Sequence, residues 1–117
     1  MNESVLMLTI MAAFGLGTGI VFATVGEILA ERSGILNLGV QGMMLMGAVM
    51  GFWATYETGN LVLGVVAALI AGAALSVIHA FNSVTLRVSQ IVSGLALTIF
   101  GTWVAALIGR AGANPLI

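Results

Sequence analysis

Few side chains in this sequence could do chemistry. There is one histidine, His79, and no cysteine. The charged residues are four glutamates, Glu3, Glu27, Glu31 and Glu57, and three arginines, Arg32, Arg87 and Arg110. A metal centre needs several Cys, His or carboxylate ligands converging on one point, and His79 has none close to it in sequence. A hydrogen-bonded histidine inside a bundle is expected instead, and no metal or other cofactor. Glu27 and Glu31 are four apart, with Arg32 next. They fall where an apolar run ends and can reach headgroups and water, so no proton-carrying role is assigned to them. No nucleophile–base pair and no paired-carboxylate arrangement exists, so the chain is not read as an enzyme. Gly15-Leu-Gly-Thr-Gly19 lacks the third glycine and the preceding strand of a dinucleotide-binding turn. A net charge of −1 with no basic patch gives nothing to hold a nucleic-acid backbone.

The uncharged polar residues are more informative. Ser33-Gly-Ile-Leu-Asn-Leu-Gly-Val-Gln-Gly42 places two amides and three glycines where the second apolar run begins. Asn37 and Gln41 are four apart and are expected to share a helix face. Amides in lipid need partners. A discontinuous helix facing a polar substrate path would supply them, and so would plain interhelical hydrogen bonding. Ser76, His79, Ser83 and Arg87 form a second polar stripe at helical spacing, with Asn82 expected to face elsewhere. Gln90 and Ser93 carry polar character into the next helix.

These residues must be positioned by apolar elements. The chain is 61% hydrophobic and 6% charged, against about 25% charged in soluble domains. Uncharged runs cover Ser4–Gly26, Ser33–Tyr56, Thr58–Leu86 and Val88–Gly109, and each reaches the ~20 residues of a membrane-crossing helix. The expected fold is all-α: a polytopic membrane protein with about four transmembrane helices, approximately 5–27, 38–56, 61–82 and 90–109. Uniform rather than alternating hydrophobicity argues against a barrel. The N-terminus has no positive flank and no cleavage pattern, so the first run reads as a retained helix. Tyr56–Asn60 reads as a turn, and Pro115 cannot continue a helix from upstream. Arg32 and Arg87 would place their ends on the cytoplasmic side and the N-terminus outside, with Arg110 against the rule. Trp53 and Tyr56 suit a membrane interface. Glycine is frequent, with 16 in the chain. Gly47 and Gly51 form a small-xxx-small pair, and Gly94 and Gly101 repeat the theme in the fourth helix. All four are expected to let helix backbones approach closely.

The stretch Gly26–Ala48, containing ERSGILNLGVQGMMLMGA, resembles the first signature of ABC-importer permeases of the branched-chain amino acid and simple-sugar superfamily, and within it the nucleoside or simple-sugar branch. Leu86–Gly101, LRVSQIVSGLALTIFG, is similar to a second signature of that branch. Gln41 stands where the first motif often has Glu, and Thr98 where the second often has Asn. The resemblance covers nearly the whole chain and implies a membrane-spanning permease subunit in a bacterial-type plasma (inner) membrane. It implies a second permease subunit, cytoplasmic ATPases that drive transport, and an extracytoplasmic substrate-binding protein as partners. Asn37, Gln41 and Gln90 become candidates for the translocation pathway or its supporting polar network. Such permeases are longer, and Leu116-Ile117 is an apolar ending. Residues 1–117 are therefore expected to be an N-terminal, partial transmembrane permease domain without a soluble domain.

Two other readings fit a short chain. A complete four-helix, proton-coupled multidrug transporter needs a carboxylate midway along helix one, where Phe14–Gly17 has none. A structural membrane protein without a pathway would tolerate loss of Asn37 and Gln41. The permease reading requires the reading frame to continue past Ile117 into further membrane spans, beside an ATPase gene. Genomic sequence that stops there without such a neighbour counts against it.

Overall fold

A computed structural model describes residues 2–113. Four α-helices run in chain order: α1 (Glu3–Arg32), α2 (Val40–Thr58), α3 (Leu61–Ala80) and α4 (Gln90–Ala113), with a π-helical turn, Phe81–Thr85, extending α3. The described residues contain no strand. The expected all-α membrane architecture stands, with shifted boundaries. Helix one does not stop at 27. Glu27, Glu31 and Arg32 complete its last turns, because nothing before Gly34 breaks it. Helix two starts at 40 rather than 38, and α4 passes 109. The expected stop at Pro115 lies outside the described residues.

Among the described residues, three helical stretches are long and apolar enough to cross a membrane: Glu3–Arg32, Leu61–Thr85 and Gln90–Gly112. The fourth expected span, α2, falls short of that standard. It is 19 residues long and its polar Gln41, Tyr56, Glu57 and Thr58 dilute its hydropathy. At about 1.5 Å per residue it just reaches across the hydrocarbon core. Its neighbours account for its composition, because α2 packs along both α3 and α4. By contrast, α1 has no buried residue; Phe14, Leu16 and Phe22 are each about three-quarters exposed, a surface suited to lipid.

The turns are set by local chemistry. Gly34 at φ 85 closes α1. Its N–H bonds Glu31 O and the Ile35 N–H bonds Ala30 O, both at 3.0 Å, the paired bonds of a glycine C-terminal cap. Gly59 at φ 66 ends α2, and the Asn60 side chain accepts from Val62 N at 2.9 Å to start α3. That reversal is tighter than the five-residue turn expected over Tyr56–Asn60.

Glycines bring the helices together. A Cβ on Gly42 would lie 2.5 Å from Leu97 O, and one on Gly101 would lie 2.7 Å from Gly42 O. Gly94 would meet Leu38 Cβ at 2.8 Å; Gly47 and Gly51 face Ala68, at 3.3 Å from its O and 3.1 Å from its Cβ respectively. The buried apolar core is correspondingly small: Leu75, Leu97 and Ala105. Lipid tails remove most hydrophobic drive between helices, so close backbone contact carries the association. Gly15 and Gly17 meet nothing within 4 Å. Gly42→Leu should therefore separate α2 from α4 and cost about 1–3 kcal/mol or more. Gly15→Ala should be neutral or stabilising by about 0.5–1 kcal/mol. Thermal unfolding of the purified full-length protein in detergent checks both, and a Gly42→Leu protein as stable as the parent refutes the packing account.

Candidate functional site

Between α1 and α2 the chain leaves the helix for residues 33–39. An unwound backbone packed against an apolar bundle must find other partners for its N–H and C=O groups. Here those partners come from separate elements. The Leu36 N–H donates to Gln90 Oε1 at 2.6 Å, and Gln90 Nε2 returns a longer bond, 3.4 Å, to Gly34 O. One amide from the start of α4 thus pairs a donor and an acceptor of the segment. Glu27 Oε1, on α1, accepts from Asn37 N at 3.1 Å. Thr98 Oγ1, on α4, donates to Leu38 O at 2.7 Å. The Asn37 side chain accepts from Gly39 N at 3.1 Å, a local turn that prepares the start of α2.

His79 completes the set. It is 3% exposed. Nε2 lies 3.1 Å from Leu36 O and Nδ1 lies 3.2 Å from Ser93 Oγ. A carbonyl only accepts, so Nε2 carries a proton and donates to Leu36 O. In that tautomer Nδ1 accepts from the Ser93 hydroxyl. Ser93 Oγ in turn receives Asn82 Nδ2 at 3.4 Å. The chain Asn82 to Ser93 to His79 to Leu36 O has consistent donor direction throughout. It ties the π-turn, α4, α3 and the unwound segment together.

The structure places the sequence-selected residues unequally. Asn37 and Gln90 lie in the network and are half-buried. Gln41 does not join it. Helix two begins at Val40, so Asn37 is outside the helix and the shared helix face expected from their spacing does not form. Gln41 is exposed in the first turn of α2. Asn82, expected to face elsewhere, reaches Ser93, because the wide π-turn changes the phase after Ala80. Ser83 is half-buried without a hydrogen-bond partner, and Arg87 lies beyond the helix, exposed at φ 53. Glu27 and Thr98 are network members that spacing did not single out. Thr98 falls between Gly94 and Gly101 on the side of α4 that meets α2, and that small-residue stripe was the available signal. An asparagine there, common in the resembled motif, would offer an amide donor to the same carbonyl.

Besides accepting from Asn37 N, Glu27 has a second carboxylate oxygen that is buried without a partner. No group of three or more potential metal ligands occurs among the described residues. Below the polar segment, α2 and α4 enclose a cleft of about 450 Å³ lined by Ala48, Val49, Phe52, Trp53, Tyr56 and Ile108, with two glycines of α4.

Replacing His79 with Leu leaves Leu36 O and the Ser93 hydroxyl without their partner, at roughly 1–3 kcal/mol. In a double-mutant cycle with Ser93→Ala, the two substitutions should couple by about 1 kcal/mol. Denaturation of the full-length protein in detergent measures this, and strict additivity would show that the His79–Ser93 contact is not made.

Comparison with known proteins gives a consistent result. Residues 7–114 match the family model described as branched-chain amino acid transport system / permease component. A putative glucose ABC transporter permease protein of Haloferax volcanii is 45% identical over 92 residues, covering 79% of this chain and 28% of the relative. The guanosine ABC transporter permease protein of Bacillus subtilis is 31% identical over 101 residues, covering 81% and 32%. The nucleoside ABC transporter permease protein of Lactococcus lactis subsp. cremoris is 32% identical over 88 residues, covering 70% and 28%. The chain therefore spans less than a third of the length of these relatives. No solved structure matches it. Its membrane-crossing helices and the match over residues 7–114 establish that this chain belongs to the family of branched-chain amino acid transport system permease components.

Proposed function

We propose that this chain is part of the membrane subunit of an ATP-driven ABC importer for a nucleoside or simple sugar. The observation that carries the reading is the unwound, side-chain-paired segment 33–39, set in a bundle whose relatives are named as glucose, guanosine and nucleoside permeases. Unwound backbone inside a membrane protein is found where it is buried in protein or lines a polar path. Both proposed substrate classes present sugar hydroxyls, which amide side chains can both donate to and accept from.

Asn37, Gln41 and Gln90 take different parts in this reading. Gln90 and Asn37 hold the segment in shape. Gln41 has an exposed amide with no side-chain hydrogen bond among the described residues, and is the one free to meet a hydroxyl. Positions 41, 48 and 52 lie along one stripe of α2 by helical spacing, and Ala48 and Phe52 line the cleft toward the far end of that helix. A polar entry followed by an aromatic-walled passage suits a sugar with or without an attached base. Gly47, Gly51, Gly94 and Gly101 keep α2 against its neighbours while this face stays open.

The assembly in this reading has two permease subunits in the plasma (inner) membrane, two cytoplasmic ATPases and an extracytoplasmic binding protein. The permease itself neither binds ATP nor catalyses. The middle of α1 carries no carboxylate for proton-coupled efflux, so the small multidrug reading gains nothing from the structure.

Uptake of labelled guanosine and labelled glucose by proteoliposomes holding the complete transporter tests this function. ATP-dependent accumulation of one of them is expected. Gln41→Leu should lower uptake about tenfold or more with folding intact, if the amide makes one hydrogen bond to a buried hydroxyl. Gln90→Leu should lower both uptake and thermal stability. Normal uptake by Gln41→Leu would remove Gln41 from the pathway, and uptake of neither solute by the parent assembly would defeat the substrate class.

A further inference from the structure

The two ends of the helices nearest the unwound segment are built differently. Helix α1 closes with a five-residue bond, Ile35 N to Ala30 O, around a glycine at φ 85. After α3 the chain widens. Leu86 N bonds Phe81 O at 3.1 Å, and Val88 N bonds Asn82 O at 3.0 Å, one residue further back than at Gly34. The left-handed position here falls on Arg87, at φ 53, where a side chain is disfavoured. π-turns occur at helix C-termini, and this one carries two features that an ordinary ending does not require.

A second observation concerns Ser83, inside that turn. Thr9, Thr18, Thr24, Thr55, Thr58 and Thr102 each donate to the carbonyl four residues back, at 2.5–2.8 Å. Ser83 Oγ is buried and makes no such bond. Its acceptor in a regular α-helical turn would be His79 O. The wide turn therefore leaves one buried hydroxyl unpaired and one arginine in a left-handed backbone. What it holds in exchange is the bond from Asn82 to Ser93.

We propose that residues 81–88 are a two-state hinge, which, resting on the importer reading above, switches during transport. In the wide state Asn82 bonds Ser93 and Arg87 is left-handed. In the narrow state the turn becomes α-helical, Ser83 bonds His79 O, Arg87 returns to negative φ, and the extra residue passes into the connection before Gln90. Each state satisfies one side chain that the other leaves unpaired, the condition for a bistable element. The switch acts on the unwound segment through Ser93. That hydroxyl is shared by Asn82 and His79, and His79 holds Leu36 O. Gln90, at the start of α4, holds Leu36 N. Moving the connection thus bears on both bonds to Leu36.

Amide exchange at Val88, measured on the complete transporter in lipid, reports the state directly, because Val88 N reaches Asn82 O only across the wide turn, whereas the Leu86 amide is bonded in both states, to Phe81 O or to Asn82 O. Asn82→Ala removes the bond specific to the wide state and should speed exchange there. Ser83→Ala removes the bond specific to the narrow state and should slow it. Each effect should be about fivefold, the shift expected from one hydrogen bond of ordinary strength. Arg87→Gly relieves the left-handed residue and should also slow exchange without threatening folding. Substrate uptake per transporter should fall in all three, since each overpopulates one state. Exchange moving in the same direction for Asn82→Ala and Ser83→Ala, or not moving, overturns the hinge. So does the expected exchange pattern with unaltered uptake. Failure of the parent assembly to import guanosine or glucose, with the exchange pattern intact, strikes the importer reading and its transport role while leaving the two-state turn standing.

Discussion

A main chain that leaves its helix inside an apolar bundle must have each N–H and C=O answered by something other than water. An unanswered group costs free energy comparable to a lost hydrogen bond, and more in lipid. The short stretch between α1 and α2 places that demand at one end of the bundle, and the arrangement of the other elements follows from meeting it. Glu27 comes from α1, His79 from α3, Gln90 and Thr98 from α4, each to a different backbone atom. A side chain reaches only a few ångströms, so these pairings fix which helix ends meet and at what depth.

The glycine contacts serve the same demand. Thr98 touches Leu38 O at 2.7 Å because Gly94 admits Leu38 against α4, and because Gly42 and Gly101 let the two backbones meet just beyond it. Packing and polar pairing are therefore one constraint seen from two sides. In water, a core such as Leu75, Leu97 and Ala105, the buried hydrophobic side chains among the described residues, would not hold a domain of this size. In a bilayer, small-residue contact and interhelical hydrogen bonds suffice.

Much of this could be read from the chain. Uncharged runs gave the helices, and three glycines with two amides marked Ser33–Gly42 as an interruption. What could not be read is where side chains meet across sequence. His79 and Ser93 are fourteen residues apart, and Gln90 and Leu36 fifty-four; no local periodicity encodes such pairs. Helical phase also misled. The spacing of Asn37 and Gln41 assumed a helix that starts only at Val40, and Asn82 was placed on the wrong side because a π-turn has no compositional signature. Glu27 resembled an ordinary terminal charge, since its partner is a backbone N–H that sequence does not display.

Helix α1 has a mechanical consequence of its own. It is 30 residues long with none buried, and the side-chain bond it makes across to the segment beyond it comes from Glu27, near its C-terminal end. At about 1.5 Å per residue it is a rod of roughly 45 Å, clamped toward its C-terminal end, where Glu27 and its neighbours lie beside Val40 and Met44. For such a rod a tilt of about 5° at the clamp carries the opposite tip about 4 Å sideways. Small rotations beside Asn37 are thereby magnified at the opposite tip, and displacements of the exposed N-terminal half are delivered back, scaled down, onto Glu27 and the neighbouring face beside Val40 and Met44.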